Sequence, residues 1–182
     1  PALSGLNIIE IGPGPGGLTT AIAEANPKSL HMVEYDDRAA EALKTEFTDI
    51  EVRQQDALQV DLRDIANKPC AVMANLPYNI STKLLTNWLE YANHFEFLAL
   101  MFQKEVAERI VAKPNSKKYG RLSVMCDFLC DSEILFDIPP QAFHPAPKVT
   151  SSVVLLRPLT KPRYEADYKK LDPISQVKSI LL

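Results

Sequence analysis

The sequence lacks a long hydrophobic segment. Its longest uninterrupted apolar run covers residues 97–102, whereas a transmembrane helix needs roughly 18 consecutive apolar residues. The chain also opens without the basic and then apolar pattern of a signal peptide. We therefore predict a protein of the cytoplasm with no membrane partner.

Cysteine is scarce, with only Cys70, Cys126 and Cys130 in 182 residues. An odd number without a Cys-x-x-Cys pair is typical of a reducing compartment. Cys126 and Cys130 would share one face of a helix, but no histidine lies near them in the sequence to complete a zinc site. We expect buried thiols and no metal.

An excess of positive charge is also missing, since the formal net charge is −3 and the isoelectric point is about 5.7. Nucleic-acid-binding domains are often strongly basic, so affinity for RNA would need a local patch. The most basic loop is residues 113–121, with four cations and one tyrosine. It could hold phosphates, and a solvated loop is the alternative.

The N-terminal part of the chain predicts a nucleotide-like ligand. A β-branched run, a glycine-rich turn and a segment with helical spacing follow one another at residues 6–11, 12–17 and 18–25. Glycines let the main chain approach a ligand, and a helix start presents free N–H groups. Gly12, Gly14 and Gly17 also satisfy a dinucleotide-binding motif. Because Pro13 and Pro15 remove two N–H donors that a pyrophosphate would use, we favour S-adenosylmethionine over NAD.

Two acidic residues stand at the ends of predicted strands. Glu34 ends the strand 30–35 and lies 22 positions after Gly12, a spacing at which a carboxylate accepts ribose hydroxyls. Asp56 could accept from the adenine amine of a cofactor while the N–H of Ala57 meets a ring nitrogen. The alternatives are a solvated strand end for Glu34 and turn chemistry for Asp56.

The central signal is the Asn-Leu-Pro-Tyr motif, residues 75–78, which follows a short apolar run typical of a buried strand. Parallel sheets bind ligands beyond the carboxyl ends of their strands. Asn75 offers a neutral amide oxygen, and Pro77 keeps Leu76 extended so that its carbonyl can face a pocket. With the flat ring of Tyr78, these acceptors suit adenine or cytosine. An ordinary turn is the alternative.

Further strands and helices alternate along the chain, which predicts an α/β fold. Ser81 or Thr82 is expected to cap a helix whose buried stripe includes Trp88. Phe143 lies in a proline-stiffened loop. It would be either a hydrophobic plug or a second wall for the base that the Asn-Leu-Pro-Tyr motif binds. The other predicted elements are strands over 50–54, 95–103, 132–138 and 150–156, and helices over 36–47, 104–111 and 122–129.

Several segments together resemble the rRNA adenine N6,N6-dimethyltransferases, closest to the bacterial KsgA (RsmA) type, which modifies small-subunit rRNA. In order, they are residues 10–14, 55–57, 75–82, 115–124 and 143–154. The resemblance implies a Rossmann-like class I methyltransferase fold of the α/β class, with a seven-stranded, mostly parallel sheet whose last strand is antiparallel. It also implies S-adenosylmethionine as the methyl donor and small-subunit rRNA as the partner of a monomer.

The resemblance further implies two sets of site residues. Phe143 would face Tyr78 across a flipped-in adenine, and Asn75 would lie between cofactor and target. The cofactor-binding set is Gly12, Gly14, Glu34, Tyr35, Asp56, Ala57 and Asn75. The catalytic set is Asn75, Leu76, Pro77, Tyr78 and Phe143.

Two departures from the family pattern bear on domain organisation. The family usually begins with a Gln-Asn-Phe-Leu segment, which is absent here, and it usually ends in a small helical domain. We predict a catalytic domain over residues 1–157 without its N-terminal segment. Residues 158–182 would form a linker and the truncated start of the helical domain, with a helix over 172–182.

Three rival functions remain open. The nearest is an antibiotic-resistance adenine N6-methyltransferase of large-subunit rRNA. Leu76, Asn79 and residues 115–124 favour the small-subunit type over this rival. The second is a non-catalytic assembly or transcription factor on the same fold, for which intact Asn75 and Tyr78 would be unnecessary. The third is an NAD-dependent dehydrogenase.

Overall fold

The computed structural model describes residues 2–163, in which strands and helices alternate. The predicted helix over 172–182 and most of the predicted linker lie outside this range. The elements are β1 (Asn7–Ile11), α1 (Gly17–Glu24), β2 (Ser29–Glu34), α2 (Asp37–Glu46), β3 (Glu51–Gln54), β4 (Cys70–Asn75), α3 (Tyr78–Leu89), β5 (Phe95–Gln103), α4 (Lys104–Ile110), α5 (Arg121–Leu129), β6 (Cys130–Ile138) and β7 (Ser151–Pro158).

The strands form one seven-stranded sheet in the order β3-β2-β1-β4-β5-β7-β6. Neighbours from β3 to β5 are parallel, and β7 runs antiparallel to both β5 and β6. The predicted fold class is therefore confirmed, including the reversed last strand. β1 is buried along its whole length, as expected of a central parallel strand that is covered on both faces.

Two apolar clusters cover the two faces of the sheet. The larger joins β1, β4, β5 and β7 to α3, α4 and α5, and the smaller joins the opposite face to α1. Trp88 is 1% exposed within the larger cluster, which confirms the prediction of a core residue. Among residues 2–163, no helix is long and apolar enough to cross a bilayer.

The predicted start of α3 was wrong. The helix begins at Tyr78 and not near Ser81 or Thr82, with Pro77 at the N-cap position. Proline suits a helix start because its φ is already helical and its missing N–H would have no partner there. Ser81 therefore lies inside the first turn, where its hydroxyl donates to the carbonyl of Tyr78 at 3.1 Å.

The cysteines are buried, as predicted, but Cys126 and Cys130 do not share a helix. α5 ends at Leu129, and Cys130 is the first residue of β6. Burial, with a smaller effect of Asp131, raises the pKa of the Cys130 thiol to about 12. Within residues 2–163, no group of three or more His, Cys, Asp or Glu side chains is arranged to hold a metal ion.

The last strand of the sheet ends close to residue 157, the predicted end of the catalytic domain. β7 continues to Pro158, one residue beyond the predicted boundary. Leu159 N–H then donates to Leu129 at 2.8 Å, and Arg163 N–H donates to Phe128 at 3.0 Å. The first residues of the predicted linker are thus bound to the end of α5.

The packing of α3 predicts a large cost for truncating Leu85, which is fully buried. Leu85→Ala should lower the free energy of unfolding by about 2–5 kcal/mol, because it removes apolar contacts and leaves a cavity. Urea unfolding followed by the fluorescence of Trp88, the sole tryptophan, measures this change. Val124→Ala on α5, at 37% exposure, is the control and should change stability by about 0.5 kcal/mol or less. Equal effects of both substitutions would contradict the packing of α3.

Candidate active site

The glycine turn and the Asn-Leu-Pro-Tyr motif meet because β1 and β4 are parallel neighbours. Ile11 pairs with Ala74 at their carboxyl ends, so Gly12 and Asn75 emerge side by side. A Cβ atom on Gly12 would lie 4.0 Å from the carbonyl oxygen of Asn75, and Gly12 has a φ of +66°. Both the close approach and the positive φ favour glycine at this position.

Glu34 is bound by the main chain around the glycine turn. Its Oε2 accepts from the N–H of Gly14 at 3.0 Å. Its Oε1 accepts from the N–H groups of Tyr35 at 2.8 Å and Asp36 at 2.9 Å. The carboxylate is 8% exposed, so it is not the solvated strand end that was the alternative. It connects the turn after β1 to the end of β2.

A cavity of about 340 Å³ lies along these strand ends, and we call it the glycine-loop cavity. Its lining includes Gly12, Glu34, Tyr35, Asp56, Ala57, Leu58 and Asn79. Its volume is within the range of small-molecule sites. The structure thus brings five of the seven predicted cofactor residues together in this lining. Gly14 reaches the cavity only through its bond to Glu34, and Asn75 lies in the lining of a neighbouring cavity.

Asp56 makes a turn contact and also lies in the lining of the glycine-loop cavity. Its Oδ1 accepts from the N–H of Leu58 at 2.9 Å, which is turn chemistry. The same side chain lines the glycine-loop cavity. Tyr35, by contrast, is 75% exposed and lies at the rim.

The Asn-Leu-Pro-Tyr motif presents two free acceptors at the end of β4. Within residues 2–163, the side-chain amide of Asn75 makes no hydrogen bond, and the carbonyl of Leu76 accepts none. The Leu76 side chain is buried at 1% exposure, which holds the main chain in place, while Asn75 and Pro77 are exposed. The strand end is therefore open for a ligand.

A second cavity, of about 260 Å³, opens on the other side of Asn75, and we call it the tyrosine cavity. Its lining is Asn75, Leu76, Pro77, Tyr78, Met101, Phe143, Pro145 and Pro147. The structure thus brings Phe143 to the same cavity as Tyr78, although they lie on different elements. This placement is the one that the hypothesis of a second wall requires.

Ser151 is a site residue that the sequence reasoning missed. Its hydroxyl lies 2.7 Å from the phenol oxygen of Tyr78, and the residue is fully buried. The contact depends on the place of β7 between β5 and β6. No local pattern in the sequence predicts it.

Glu10 was also missed, and it lies buried beneath the glycine turn at 1% exposure. Its Oε2 accepts from the Thr19 hydroxyl at 2.7 Å, while its Oε1 has no partner among the described residues. Burial is the main cause that raises the pKa of this carboxyl to about 7. The hydrogen bond from Thr19 lowers the pKa, and the nearby charge of Glu34 raises it further. A carboxylate among the isoleucines of β1 was the available signal.

The basic loop is partly neutralised by neighbouring acids. Lys118 pairs with Glu108, and Lys113 pairs with Asp127. At least these two of its four cations therefore already have carboxylate partners. The loop thus offers less free positive charge than its composition predicts.

Comparisons with known proteins identify the family of this chain. The family model for ribosomal RNA adenine dimethylase matches residues 3–178. The chain belongs to this family. The ribosomal RNA small subunit methyltransferase A of Ehrlichia chaffeensis is 46% identical over 176 residues, covering 94% of this chain and 67% of that protein. The enzyme of the same name from Dinoroseobacter shibae is 46% identical and covers 91% and 61%. The chain thus spans about two thirds of such relatives.

Solved structures agree with membership of the adenine dimethylase family. A dimethyladenosine transferase from Plasmodium falciparum superposes with a TM-score of 0.77 at 29% identity, covering 87% of this chain and 58% of that chain. The 23S rRNA methyltransferase ErmE superposes with a TM-score of 0.76 at 28% identity, covering 89% and 65%. The resemblance and the fold class predicted from the sequence are confirmed.

Burial of Glu10 predicts a pH-dependent stability. Its carboxyl has a pKa of about 7 when folded and 4.5 as a free side chain, so only the folded state keeps the proton between these values. The contribution of Glu10 to stability is therefore fully present below pH 4.5 and falls as the pH rises to 7, by on the order of 3 kcal/mol. Glu10→Gln should remove this decline, as measured by urea unfolding at pH 4.5 to 8.

Glu24→Gln, at an exposed position on α1, is the matched control and should keep the pH dependence of the wild type. Identical curves for wild type and Glu10→Gln would show that Glu10 is ionised in the folded state throughout this range.

Proposed function

We propose that this chain is the catalytic domain of an S-adenosylmethionine-dependent enzyme that dimethylates adenine N6 in small-subunit rRNA. The observation that carries the proposal is the position of Asn75. It stands beside the glycine turn and lines the tyrosine cavity, with an amide that no described residue engages. A group that must contact both a methyl donor and a target base belongs at this place.

The glycine-loop cavity fits the proposed methyl donor. The carboxylate of Glu34 has about four lone-pair sites, and three N–H groups occupy three of them. The remaining site, on Oε2, is available for a ribose hydroxyl. Asp56 and Ala57 would bind the adenine of the donor, with Tyr35 at the rim. When bound, S-adenosylmethionine supplies an electrophilic methyl group on a sulfonium sulfur.

The tyrosine cavity suits the target base. Tyr78 and Phe143 offer aromatic walls, and stacking on such walls offsets the cost of extracting an adenine from its RNA stack. The amide oxygen of Asn75 and the carbonyl of Leu76 would accept the two N–H groups of the adenine amine. These bonds favour a pyramidal nitrogen whose lone pair faces the glycine-loop cavity.

The proposed chemistry rests on alignment, without a general base. Holding two reactants in line can supply roughly 7–11 kcal/mol of the barrier. The neutral oxygens of Asn75 and Leu76 would also stabilise the positive charge that develops on nitrogen. The proton can leave to water after transfer.

Similarity favours the small-subunit substrate over the large-subunit alternative. Identity is 46% to the small-subunit enzyme of Ehrlichia chaffeensis and 28% to the 23S rRNA methyltransferase ErmE. A dehydrogenase is disfavoured by family membership, and a non-catalytic factor would not need the open Asn75 amide. The proposal includes small-subunit rRNA as partner, a monomer in the cytoplasm, and a second domain that begins after residue 157.

Removing the amide of Asn75 tests the role that carries the proposal. Asn75→Ala should lower the rate of methyl transfer at least roughly tenfold, because the adenine amine loses one of its two acceptors. Transfer of radiolabelled methyl groups to undermethylated small subunits measures the rate. The control is Asn93→Ala, at an exposed position before β5, which should keep the wild-type rate. Full activity of Asn75→Ala with an unchanged fold would refute the role.

Glu34 should control donor affinity. Glu34→Ala is expected to weaken binding of S-adenosylmethionine by roughly tenfold or more, because it removes a charged acceptor and releases three N–H groups around the turn. Isothermal titration calorimetry measures the affinity, and circular dichroism checks the fold. Glu46→Ala, at an exposed position on α2, should bind as the wild type does. Unchanged affinity in Glu34→Ala would remove Glu34 from the donor site.

A further inference from the structure

We propose that Ser151 is a positioning residue that fixes the ring of Tyr78 and thereby sets the shape of the tyrosine cavity. The inference deepens the proposed function and rests on it. Its basis is the contact of 2.7 Å between the Ser151 hydroxyl and the Tyr78 phenol. Either oxygen can donate in this hydrogen bond.

The two partners differ in mobility. Ser151 is the first residue of β7 and pairs with Gln103 of β5 and with Ile138 of β6. It is fully buried, so its hydroxyl has a fixed place. Tyr78 is the first residue of α3 and only partly buried. A ring at such a place can swing about its Cα–Cβ bond unless its far end is bound. The hydrogen bond supplies that constraint.

The same bond joins the two walls of the tyrosine cavity. Tyr78 forms the wall on α3, while Phe143 and two prolines form the wall on the loop between β6 and β7. That loop ends at Ser151. The bond from Ser151 to Tyr78 therefore connects the wall on α3 to the end of the loop that forms the other wall. It sets the orientation of the Tyr78 ring on which a planar base can stack.

The neighbouring serine provides a matched control. Ser152 is also fully buried, but its hydroxyl donates to Asp137 at 2.6 Å. Asp137 in turn pairs with Lys104 at 2.5 Å. The two serines have the same size and burial and differ in their partner. Loss of packing should affect both alike, whereas loss of the Tyr78 contact affects Ser151 alone.

The first experiment compares Ser151→Ala, Tyr78→Phe, the double variant and Ser152→Ala in methyl transfer to undermethylated small subunits. Ser151→Ala and Tyr78→Phe should each lower kcat/KM for RNA roughly fivefold, the value of one net hydrogen bond. The double variant should be no worse than the poorer single, because both changes break one bond. Ser152→Ala should transfer at the wild-type rate, and the affinity for S-adenosylmethionine should be unchanged in all.

Additive losses in the double variant, or equal losses in Ser151→Ala and Ser152→Ala, would overturn the positioning role. Tyr78→Phe tests the same bond from the partly exposed side if Ser151→Ala folds poorly. Absence of transfer by the wild type and by Ser152→Ala would count against the proposed function and not against the hydrogen bond.

A second experiment needs no activity. Three-bond couplings to the ring Cγ, measured by nuclear magnetic resonance with the Tyr78 signals assigned by their loss in Tyr78→Phe, report the rotamer about its Cα–Cβ bond. Tyr78 should hold one rotamer in the wild type and in Ser152→Ala, and average between rotamers in Ser151→Ala. Equal couplings in all three would overturn the inference whatever the enzyme does.

Discussion

The arrangement of the site depends on the parallel pairing of β1 with β4. Hydrogen-bonded parallel strands end at the same edge, and the pairing of Ile11 with Ala74 brings Gly12 beside Asn75. β1 is buried on both faces, so a shift of register would exchange the side chains between two apolar layers and expose Glu10 to a different environment. The glycine-loop cavity and the tyrosine cavity therefore hold their relative places through the core of the sheet, and not through the loops that line them.

Charge is divided between the two cavities. The glycine-loop cavity carries the carboxylates of Glu34 and Asp56, which suit hydroxyl and amine donors. The lining of the tyrosine cavity contains no charged side chain and has aromatic and proline walls around the Asn75 amide. This division matches the proposed chemistry, because a neutral acceptor orients an amine without supplying the proton that would block its lone pair.

Polar groups within the core support the site from behind. Glu10 and Thr19 connect β1 to α1 beneath the glycine turn, and Ser151 reaches Tyr78 from the start of β7. The second contact joins α3, whose Tyr78 lines the tyrosine cavity, to a fully buried residue of β7. Buried hydrogen bonds of this kind hold a unique geometry because breaking one leaves an unpaired polar group in the core.

Much of the fold and part of the site were accessible from the sequence. The glycine turn, the bounds of β5, and the positions of Glu34, Asp56 and Asn75 at strand ends follow from local patterns: apolar runs for strands, glycine for positive φ, and the rule that parallel strands present their ends at one edge. The start of α3 was missed because Pro77 is compatible both with an extended segment and with a helix start. Only the tertiary structure decided the partner of Ser151, the burial of Glu10 and the pairing of the basic loop with acids. These features arise from contacts between residues far apart in the chain, and their geometry depends on sheet order and register, which no short window of sequence contains.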